Sequence, residues 1–300
     1  MSALEHDLSA RFGARLRSNH PLAELTSFRI GGPADLFLMI EDATELSAAL
    51  AAANRHGVSC FCLGSGTNLL VSDRGIRGLA IKLGEGFGRI EIEGLDVRAG
   101  GAAQFGYLAE TTVEQGLAGL EFGEGIPGTV GGGLVMNAGA FGGEMAAVVC
   151  AVRGVNASGE VVVLSSDAIG FAYRRTSLPP RFIITRVDFR LAHGDRDALR
   201  ARVADIHAKR ARRQPDGVPN AGSVFKNPPG NFAGKLLEKA GLKGARRGGA
   251  AFSDQHANFI VNLGGAHADE VRALMELAQE RVRVSAGISL EPEVKLVGEW

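Results

Sequence analysis

The alternation of apolar and polar positions divides the first two thirds of the chain into short strands and helices. An apolar run predicts a strand at 34–40, an alanine-rich stretch predicts a helix at 44–56 that ends at Gly57, and 58–63 predicts the next strand. The stretch 1–20 is mixed and polar and is expected to be a helical lead-in. The remaining elements predicted here are strands at 79–83, 90–92, 96–99, 148–154, 159–164 and 181–191, and a helix at 103–115.

The composition of the chain changes near residues 192–195, and longer helices follow. The helix predicted at 268–284 places four apolar residues on one face, Val271, Leu274, Ala278 and Val282. The other elements predicted in this part are helices at 197–213 and 232–240 and strands at 257–262 and 288–297. We therefore predict two domains, at 1–193 and 194–300, with residues 1–20 leading into the first.

Charge and composition argue against several classes of binding partner. The 33 basic and 33 acidic residues give a formal net charge of zero, which argues against nucleic acid or a membrane surface as the main partner. No apolar run reaches the roughly 18 residues of a membrane span, and the N-terminus lacks a signal-peptide pattern. Cys60, Cys62 and Cys150 have no metal-ligand partners at short spacing, so we expect reduced packing residues in a cytoplasmic protein without a metal site.

Glycine is about twice as frequent as the roughly 7% usual in globular proteins, at 42 of 300 residues. The segment 123–140 is rich in glycine and almost without ionisable side chains, so it is suited to bringing backbone N–H groups against a flat or anionic ligand. The glycine turn 64–68 directly follows a predicted strand and adds hydroxyl and amide groups, which suits a pyrophosphate. It matches neither Walker A nor Gly-x-Gly-x-x-Gly. Two such loops indicate two walls of one cofactor site.

Two further loops offer polar groups for chemistry. The segment 173–177 sets two arginines beside hydroxyls, either as a clamp for a carboxylate or as a surface pair. In the loop 221–228, Val224 and Phe225 can anchor the chain so that Ser223 and Lys226 face a ligand; a plain turn is the alternative. No histidine stands at short spacing to activate Ser223 as a nucleophile, so its remaining option is to protonate a strongly basic, enolate-like intermediate.

Two carboxylates and one arginine complete the candidates. Glu291 and Glu293 share one face of an extended segment around Pro292, where neighbouring carboxylates can raise one another's pKa; exposed edge charges are the alternative. Arg29 lies in the loop 25–32 before the first long strand, where a surface arginine is equally compatible with the pattern.

Taken together, these motifs resemble the UDP-N-acetylenolpyruvoylglucosamine reductase (UDP-N-acetylmuramate dehydrogenase) family of bacterial wall synthesis. Each motif alone is weakly specific, but the ordered set is highly specific. In chain order the motifs lie at 26–32, 64–68, 125–132, 137–140, 173–174, 222–228 and 290–294.

The resemblance implies an α+β fold. It combines an FAD-binding fold of the vanillyl-alcohol-oxidase/p-cresol methylhydroxylase type over about 20–190 with a smaller α+β substrate domain. It also implies FAD as cofactor, NADPH as hydride donor and UDP-N-acetylenolpyruvoylglucosamine as substrate. NADPH would reduce FAD and leave, and the substrate would enter the same site. Flavin N5 would then deliver hydride to C3, and protonation at C2 would give UDP-N-acetylmuramate, a peptidoglycan precursor needed for cell wall biogenesis, cell shape and division.

The resemblance also implies roles for individual residues. Ser223 corresponds to the proton donor, and Arg174 and Glu293 to the pair that polarises the substrate carboxylate and stabilises the enolate, with Glu291 the less favoured glutamate. Lys226 and Asn227 would bind the substrate nucleotide or its phosphates. FAD would be bound by Arg29, Gly64, Ser65, Gly66, Thr67, Asn68, Gly125, Ile126, Pro127, Gly128, Thr129, Gly132, Asn137, Ala138 and Gly139.

The sequence departs from the family pattern in two places. Thr176 stands where a serine is expected after the Tyr173–Arg174 pair, and the stretch 173–222 lacks the tyrosine-bearing insert of one branch, so the chain resembles the shorter branch. Two other classes stay open: a sugar or alcohol oxidase on the same FAD fold, and a sugar-nucleotide binder without flavin. The loop around Ser223 disfavours the oxidase.

Overall fold

The protein, described as a computed structural model over residues 2–300, forms two compact units that each draw on several chain segments. The first unit contains the residues up to Ser18 together with Leu36–Ser65 and Gly78–Lys209, and the second contains Asn19–Asp35, Gly66–Arg77 and Arg210–Trp300. A single cut near residue 193 therefore does not describe the compact units. The reason is packing: Phe28, Ile30 and Leu70 belong to the hydrophobic core of the second unit. The division of labour between an FAD-binding part at 1–193 and a substrate-binding part at 194–300 stays a prediction.

Seven α-helices and twenty-one strands are present in residues 2–300. The helices are α1 (Ala3–Phe12), α2 (Ala43–Arg55), α3 (Phe105–Glu114), α4 (Val130–Val135), α5 (Arg196–Arg213), α6 (Ala233–Lys239) and α7 (Ala268–Ala286). The strands as far as Ala140 are β1 (Arg17–Pro21), β2 (Pro33–Ile40), β3 (Cys60–Leu63), β4 (Leu69–Val71), β5 (Ile76–Leu83), β6 (Ile90–Glu93), β7 (Asp96–Gly100), β8 (Leu117–Ala118) and β9 (Gly139–Ala140). The later strands are β10 (Gly143–Glu144), β11 (Val149–Val155), β12 (Val161–Ser165), β13 (Gly170–Ala172), β14 (Arg175–Ser177), β15 (Ile183–Arg190), β16 (Ala192–His193), β17 (Asn220–Ser223), β18 (Arg246–Arg247), β19 (Ala250–Phe252), β20 (Phe259–Asn262) and β21 (Lys295–Val297).

The first unit is built around two sheets. In one sheet β3 pairs in parallel with β5, and α2 begins where the Asp42 side chain accepts a hydrogen bond from the Glu45 N–H (2.9 Å). The other sheet has the order β12-β11-β15-β7-β6 and is antiparallel. Each sheet packs into its own hydrophobic core, and the core of the second sheet also takes in α3 and α4.

The second unit has one core beneath an antiparallel sheet of order β17-β20-β19-β18. The apolar face predicted for α7 is confirmed, because Val271, Leu274, Ala278 and Val282 are all buried in this core. Strand β21 pairs in parallel with β4, which joins the C-terminal segment to residues 69–71. No helix in the described part of the chain combines the length and apolar character that a bilayer span needs.

Two predicted elements are wrong. The strand expected at 288–297 is only β21, because Pro292 has no N–H to donate and forms a single bridge to Phe225. The glycine-rich segment is counted above as one of two loops, yet residues 130–135 form α4. This short helix begins at Thr129, whose hydroxyl accepts a hydrogen bond from the Gly132 N–H (3.1 Å).

The three cysteines differ in exposure, and this difference gives a prediction about thiol reactivity. Burial raises the pKa of Cys60 to about 11 and that of Cys62 to about 12, whereas Cys150 is exposed. Since the thiolate is the reactive form, no more than about one in 10³ of these two thiols is ionised at pH 8. Titration of the folded protein with Ellman's reagent should show one fast equivalent and two slow ones. All three thiols reacting at the same rate before unfolding would contradict this expectation.

Candidate functional site

Most N–H groups of the glycine-rich segment in the first unit donate hydrogen bonds to other groups of the protein. The N–H groups of Val130 and Gly131 donate to the carbonyls of Ala103 and Gly101 (2.8 and 3.0 Å), while those of Gly132 and Gly133 are taken by Thr129. A larger residue would be crowded at position 131, because a Cβ there would lie 3.0 Å from the Gly101 carbonyl oxygen. The start of α4 is thus anchored to the rest of the unit. Because these N–H groups already have partners, a ligand would be bound by residues next to α4.

Gly64 meets this segment, as expected for two walls of one site. A Cβ on Gly64 would lie 3.0 Å from the Thr129 hydroxyl, and a Cβ on Gly132 would lie 3.3 Å from the same oxygen. The N–H groups of Gly64 and Ser65 make no hydrogen bond with any residue in 2–300. Unpaired N–H groups beside side-chain-free backbone fit the phosphate end of a dinucleotide such as FAD.

Lys82 adds a positive charge that sequence reasoning missed. Its ammonium donates to the Gly64 carbonyl (2.7 Å) from a partly buried position, and this burial lowers the pKa of Lys82. This hydrogen bond holds Gly64 in place, and the positive charge of Lys82 favours the binding of an anion at the turn. In the sequence Lys82 is one polar residue near the end of a strand, and nothing in its neighbours points to residue 64.

A side chain at position 64 should therefore weaken FAD binding. Gly64→Val would push methyl groups into the space beside the Thr129 hydroxyl, so we expect the dissociation constant for FAD to rise by about tenfold or more. Fluorescence titration of the flavin into apoprotein measures this constant. Gly106→Val is the matched control, because a Cβ at Gly106 meets no atom within 4 Å. Equal affinity in the two variants would remove Gly64 from the cofactor wall.

The remainder of the 64–68 turn belongs to the second unit, where it contacts the loop that carries Arg29. The N–H of Ser27 donates to the Gly66 carbonyl (3.1 Å), and Gly66 has a left-handed φ of 66°. A Cβ there would collide with the carbonyl oxygen of Leu25, so this glycine is required by packing as well as by conformation. Arg29 is also left-handed (φ 54°), and its N–H donates to the Thr26 carbonyl (3.1 Å). The structure thus brings two predicted cofactor motifs together.

The side chain of Asn137 is hydrogen-bonded to the protein backbone through both of its polar atoms. Its side chain is 1% exposed; its Oδ1 accepts from the Ala146 N–H (3.0 Å) and its Nδ2 donates to the Ala172 carbonyl (3.2 Å). Its left-handed φ of 41° turns the chain towards Ala138 and Gly139. Among the residues predicted to bind the cofactor, Asn137 therefore uses its side chain to hold the conformation of the glycine-rich segment.

Arg174 lies at the tip of a tight hairpin in the first unit. Ala172 pairs with Arg175, so Tyr173 and Arg174 form a two-residue turn, and Arg174 has a left-handed φ of 54°. Its guanidinium lies 5.1 Å from the centroid of the Tyr173 ring. Thr176 ties this hairpin to α4, because its hydroxyl contacts the carbonyls of Leu134 (3.1 Å) and Val135 (2.9 Å). The threonine that replaces the expected serine thus has a structural partner.

The Ser223 loop of the second unit is anchored as predicted. Val224 and Phe225 are each 1% exposed, which leaves Ser223 half-buried at the end of β17, next to them. Lys226 is more buried than expected, and its ammonium lies 2.5 Å from Oε1 of Glu291. Asn227 accepts a hydrogen bond from the N–H of Ala233 (3.0 Å) at the start of α6.

Glu291 and Glu293 differ in the groups that they contact. Glu291 binds Lys226 twice, through its carboxylate and through its carbonyl, which accepts from the Lys226 N–H (2.9 Å). The main chain of Glu293 is held by the Val224 carbonyl (2.8 Å) and by the amide of Asn68, which donates to the Glu293 carbonyl (3.2 Å). The structure therefore brings Ser223, Glu293 and Asn68 into one neighbourhood of the second unit. Arg174 belongs to the first unit.

Comparison with known proteins gives matches over both parts of the chain. Residues 34–165 match the model of an FAD binding domain, and residues 214–297 match that of the UDP-N-acetylenolpyruvoylglucosamine reductase C-terminal domain. The chain is 48% identical over 285 residues to UDP-N-acetylenolpyruvoylglucosamine reductase 2 of Symbiobacterium thermophilum, covering 95% of this chain and 92% of that protein. It is 46% identical over 295 residues to the reductase of an Anaeromyxobacter species (strain Fw109-5), covering 98% and 92%.

A solved structure gives the same result. The crystal structure of UDP-N-acetylenolpyruvylglucosamine reductase from Thermus caldophilus superposes with a TM-score of 0.81 at 35% identity, covering 94% of this chain and 98% of that one. These matches confirm the predicted α+β architecture with an FAD-binding domain and a second, reductase-specific domain, and they confirm FAD as the cofactor.

Proposed function

Because this chain belongs to the UDP-N-acetylenolpyruvoylglucosamine reductase family, we propose that it reduces UDP-N-acetylenolpyruvoylglucosamine to UDP-N-acetylmuramate, with NADPH as the hydride donor. The observation that carries the proposal is the end-to-end similarity to relatives of that name, which spans 95% of the chain. The Ser223 loop supports it, because a half-buried serine beside the Glu293 segment suits a proton transfer.

The chemistry divides between the cofactor and the side chains. The 64–68 turn and the glycine-rich segment would hold FAD, which would supply the redox chemistry, the transfer of a hydride from NADPH to C3 of the enolpyruvyl group. The electron pair of the former double bond is left on C2 of the substrate, next to its carboxylate. Ser223 gives its hydroxyl proton to C2 and recovers one from solvent. A hydroxyl is a weak acid, and such a carbanion is basic enough to be protonated by it.

Arg174 and Glu293 act on the substrate carboxylate in this proposal. The guanidinium of Arg174 offers paired N–H donors to a carboxylate, so it binds the substrate and offsets the charge that spreads into the carboxylate after hydride transfer. Glu293 can lower the energy of the same charge only with a proton on its carboxyl, because an ionised carboxylate would repel it. Its role is then that of a hydrogen-bond donor.

Lys226 and Asn227 are proposed to bind the nucleotide part of the substrate. An ammonium group has three donors, so Lys226 can pair with Glu291 and still contact a phosphate. Asn227 uses its side-chain oxygen to cap α6, and its NH₂ group is the part that would face a ligand. We further propose that the enzyme works in the cytoplasm in the synthesis of peptidoglycan precursors. The three free cysteines are consistent with a reducing compartment.

A visible spectrum of the purified protein, followed by two additions, tests the function. The protein should be yellow, NADPH should bleach it without oxygen, and UDP-N-acetylenolpyruvoylglucosamine should restore the colour with formation of UDP-N-acetylmuramate. A protein that stays colourless after FAD is added would point to a sugar-nucleotide binder without flavin. Bleaching by an alcohol, with recovery in oxygen, would point to an oxidase.

A further inference from the structure

We infer that Asn258 is a positioning residue for Ser223, and this inference rests on the proposed function. Asn258 lies just before β20 and is 3% exposed. Its Oδ1 accepts from the Phe225 N–H (3.0 Å), its Nδ2 donates to the Phe225 carbonyl (2.8 Å), and its own carbonyl accepts from the Val224 N–H (2.8 Å). Three hydrogen bonds from one residue thus hold the two residues that follow Ser223.

The opposite edge of the same segment carries Glu293. The Val224 carbonyl accepts from the Glu293 N–H (2.8 Å), and the Lys226 N–H donates to the Glu291 carbonyl (2.9 Å). Val224–Lys226 is therefore clamped between Asn258 on one side and 291–293 on the other. Any shift of the segment on release of Asn258 would move Ser223 and the main-chain anchor of Glu293 together.

An asparagine suits this position because the regular ladder between β17 and β20 ends there. Ser223 is the last residue of β17 paired with β20, opposite Phe259, and the register is irregular between Asn220 and Ser223. The amide of Asn258 replaces the missing strand partner, since it offers one donor and one acceptor at the spacing of a peptide group. Aspartate would lose the donor, and leucine would lose both groups while keeping a similar volume.

Asn258 is itself held in place. Its N–H donates to Nδ1 of His256 (3.1 Å), and the His256 ring stacks edge-to-face on Phe259 at 4.9 Å between centroids. This contact requires the His256 tautomer with its proton on Nε2. The amide that contacts Phe225 therefore comes from a rigid turn, as a positioning group requires.

The test compares Asn258→Leu with Asn262→Leu in FAD-loaded enzyme. Asn262 is also a buried asparagine (7% exposed), four residues further along, and its side chain bonds the Phe28 carbonyl and the N–H groups of Gly264 and Ala266 instead of the Ser223 loop. Reduction by NADPH and reoxidation by the enolpyruvyl substrate are measured separately by stopped flow. Because a misplacement of about 1 Å can cost about 10²-fold in rate, we expect Asn258→Leu to slow reoxidation by about 10–10²-fold with reduction unchanged.

A double-mutant cycle separates positioning from a general loss of stability. If Asn258 acts mainly through Ser223, Asn258→Leu should cost several-fold less in a Ser223→Ala background than in the wild type, with the remaining cost passing through the anchor of Glu293, whereas independent effects would multiply. Asn258→Ser provides a milder variant if the leucine variant does not fold. Reoxidation at the wild-type rate in folded enzyme, equal slowing of both half-reactions, or multiplying effects would each overturn the inference. A wild-type enzyme that does not turn over the enolpyruvyl substrate would overturn the proposed function instead.

Discussion

Replacement of Ser223 by alanine should leave flavin reduction by NADPH unchanged and slow reoxidation by the enolpyruvyl substrate by about 10²–10⁴-fold, the range for loss of a general acid. The two half-reactions separate because only the second needs a proton at C2 of the substrate. Stopped-flow absorbance at the flavin band measures both. The folded structure should tolerate the change, since the loop is anchored by the buried side chains of Val224 and Phe225.

The control for this variant is a serine of the same unit outside the Ser223 loop. The hydroxyl of Ser285 donates to the Arg281 carbonyl (2.7 Å) on the exposed side of α7, and Ser285→Ala should leave both half-reactions at the wild-type rate. Ser223→Cys should retain part of the activity, because a thiol can also give up a proton. Wild-type reoxidation in Ser223→Ala would assign the proton donor to another group or to water.

The parts of the structure that the sequence predicts well depend on local patterns. Helix α2 begins at Ala43 and ends at Arg55, within one residue of the helix expected from its alanine-rich sequence and terminal glycine. The apolar face of α7 is buried as its spacing predicts. The glycine loops are likewise local signals, and the contact between Gly64 and Thr129 agrees with the idea of two walls.

The parts that the sequence does not predict depend on distant contacts. Residues 19–35 and 66–77 pack in the second unit although 36–65 lies between them in the chain, and no local pattern carries that information. Asn258 and Lys82 act through the backbone of segments 33 and 18 residues away, so their spacing gives no motif. The left-handed φ of Arg174 could be suspected only from a two-residue turn between strands as short as β13 and β14.

Glu293→Ala should slow reoxidation of the reduced flavin by about 10²–10³-fold at saturating substrate, the usual loss when one group of an electrostatic pocket is removed. The backbone at 293 should stay in place, because it is held by the Val224 carbonyl and the Asn68 amide rather than by its own carboxyl. Stopped-flow reoxidation, with NADPH reduction as the internal reference, measures the loss.

Glu291→Ala is the matched control, two residues away on the same segment. Its carboxylate is 71% exposed and pairs with the buried ammonium of Lys226, so its removal acts on Lys226 and not on the reacting atoms of the substrate. We expect the reoxidation rate at saturating substrate to change by less than about threefold, with any larger effect confined to KM for the substrate through Lys226. Because the two variants remove the same chemical group from neighbouring positions, a general charge effect would slow both equally. Equal slowing would contradict the assignment to Glu293 alone, and a large loss only in Glu291→Ala would transfer the role to Glu291.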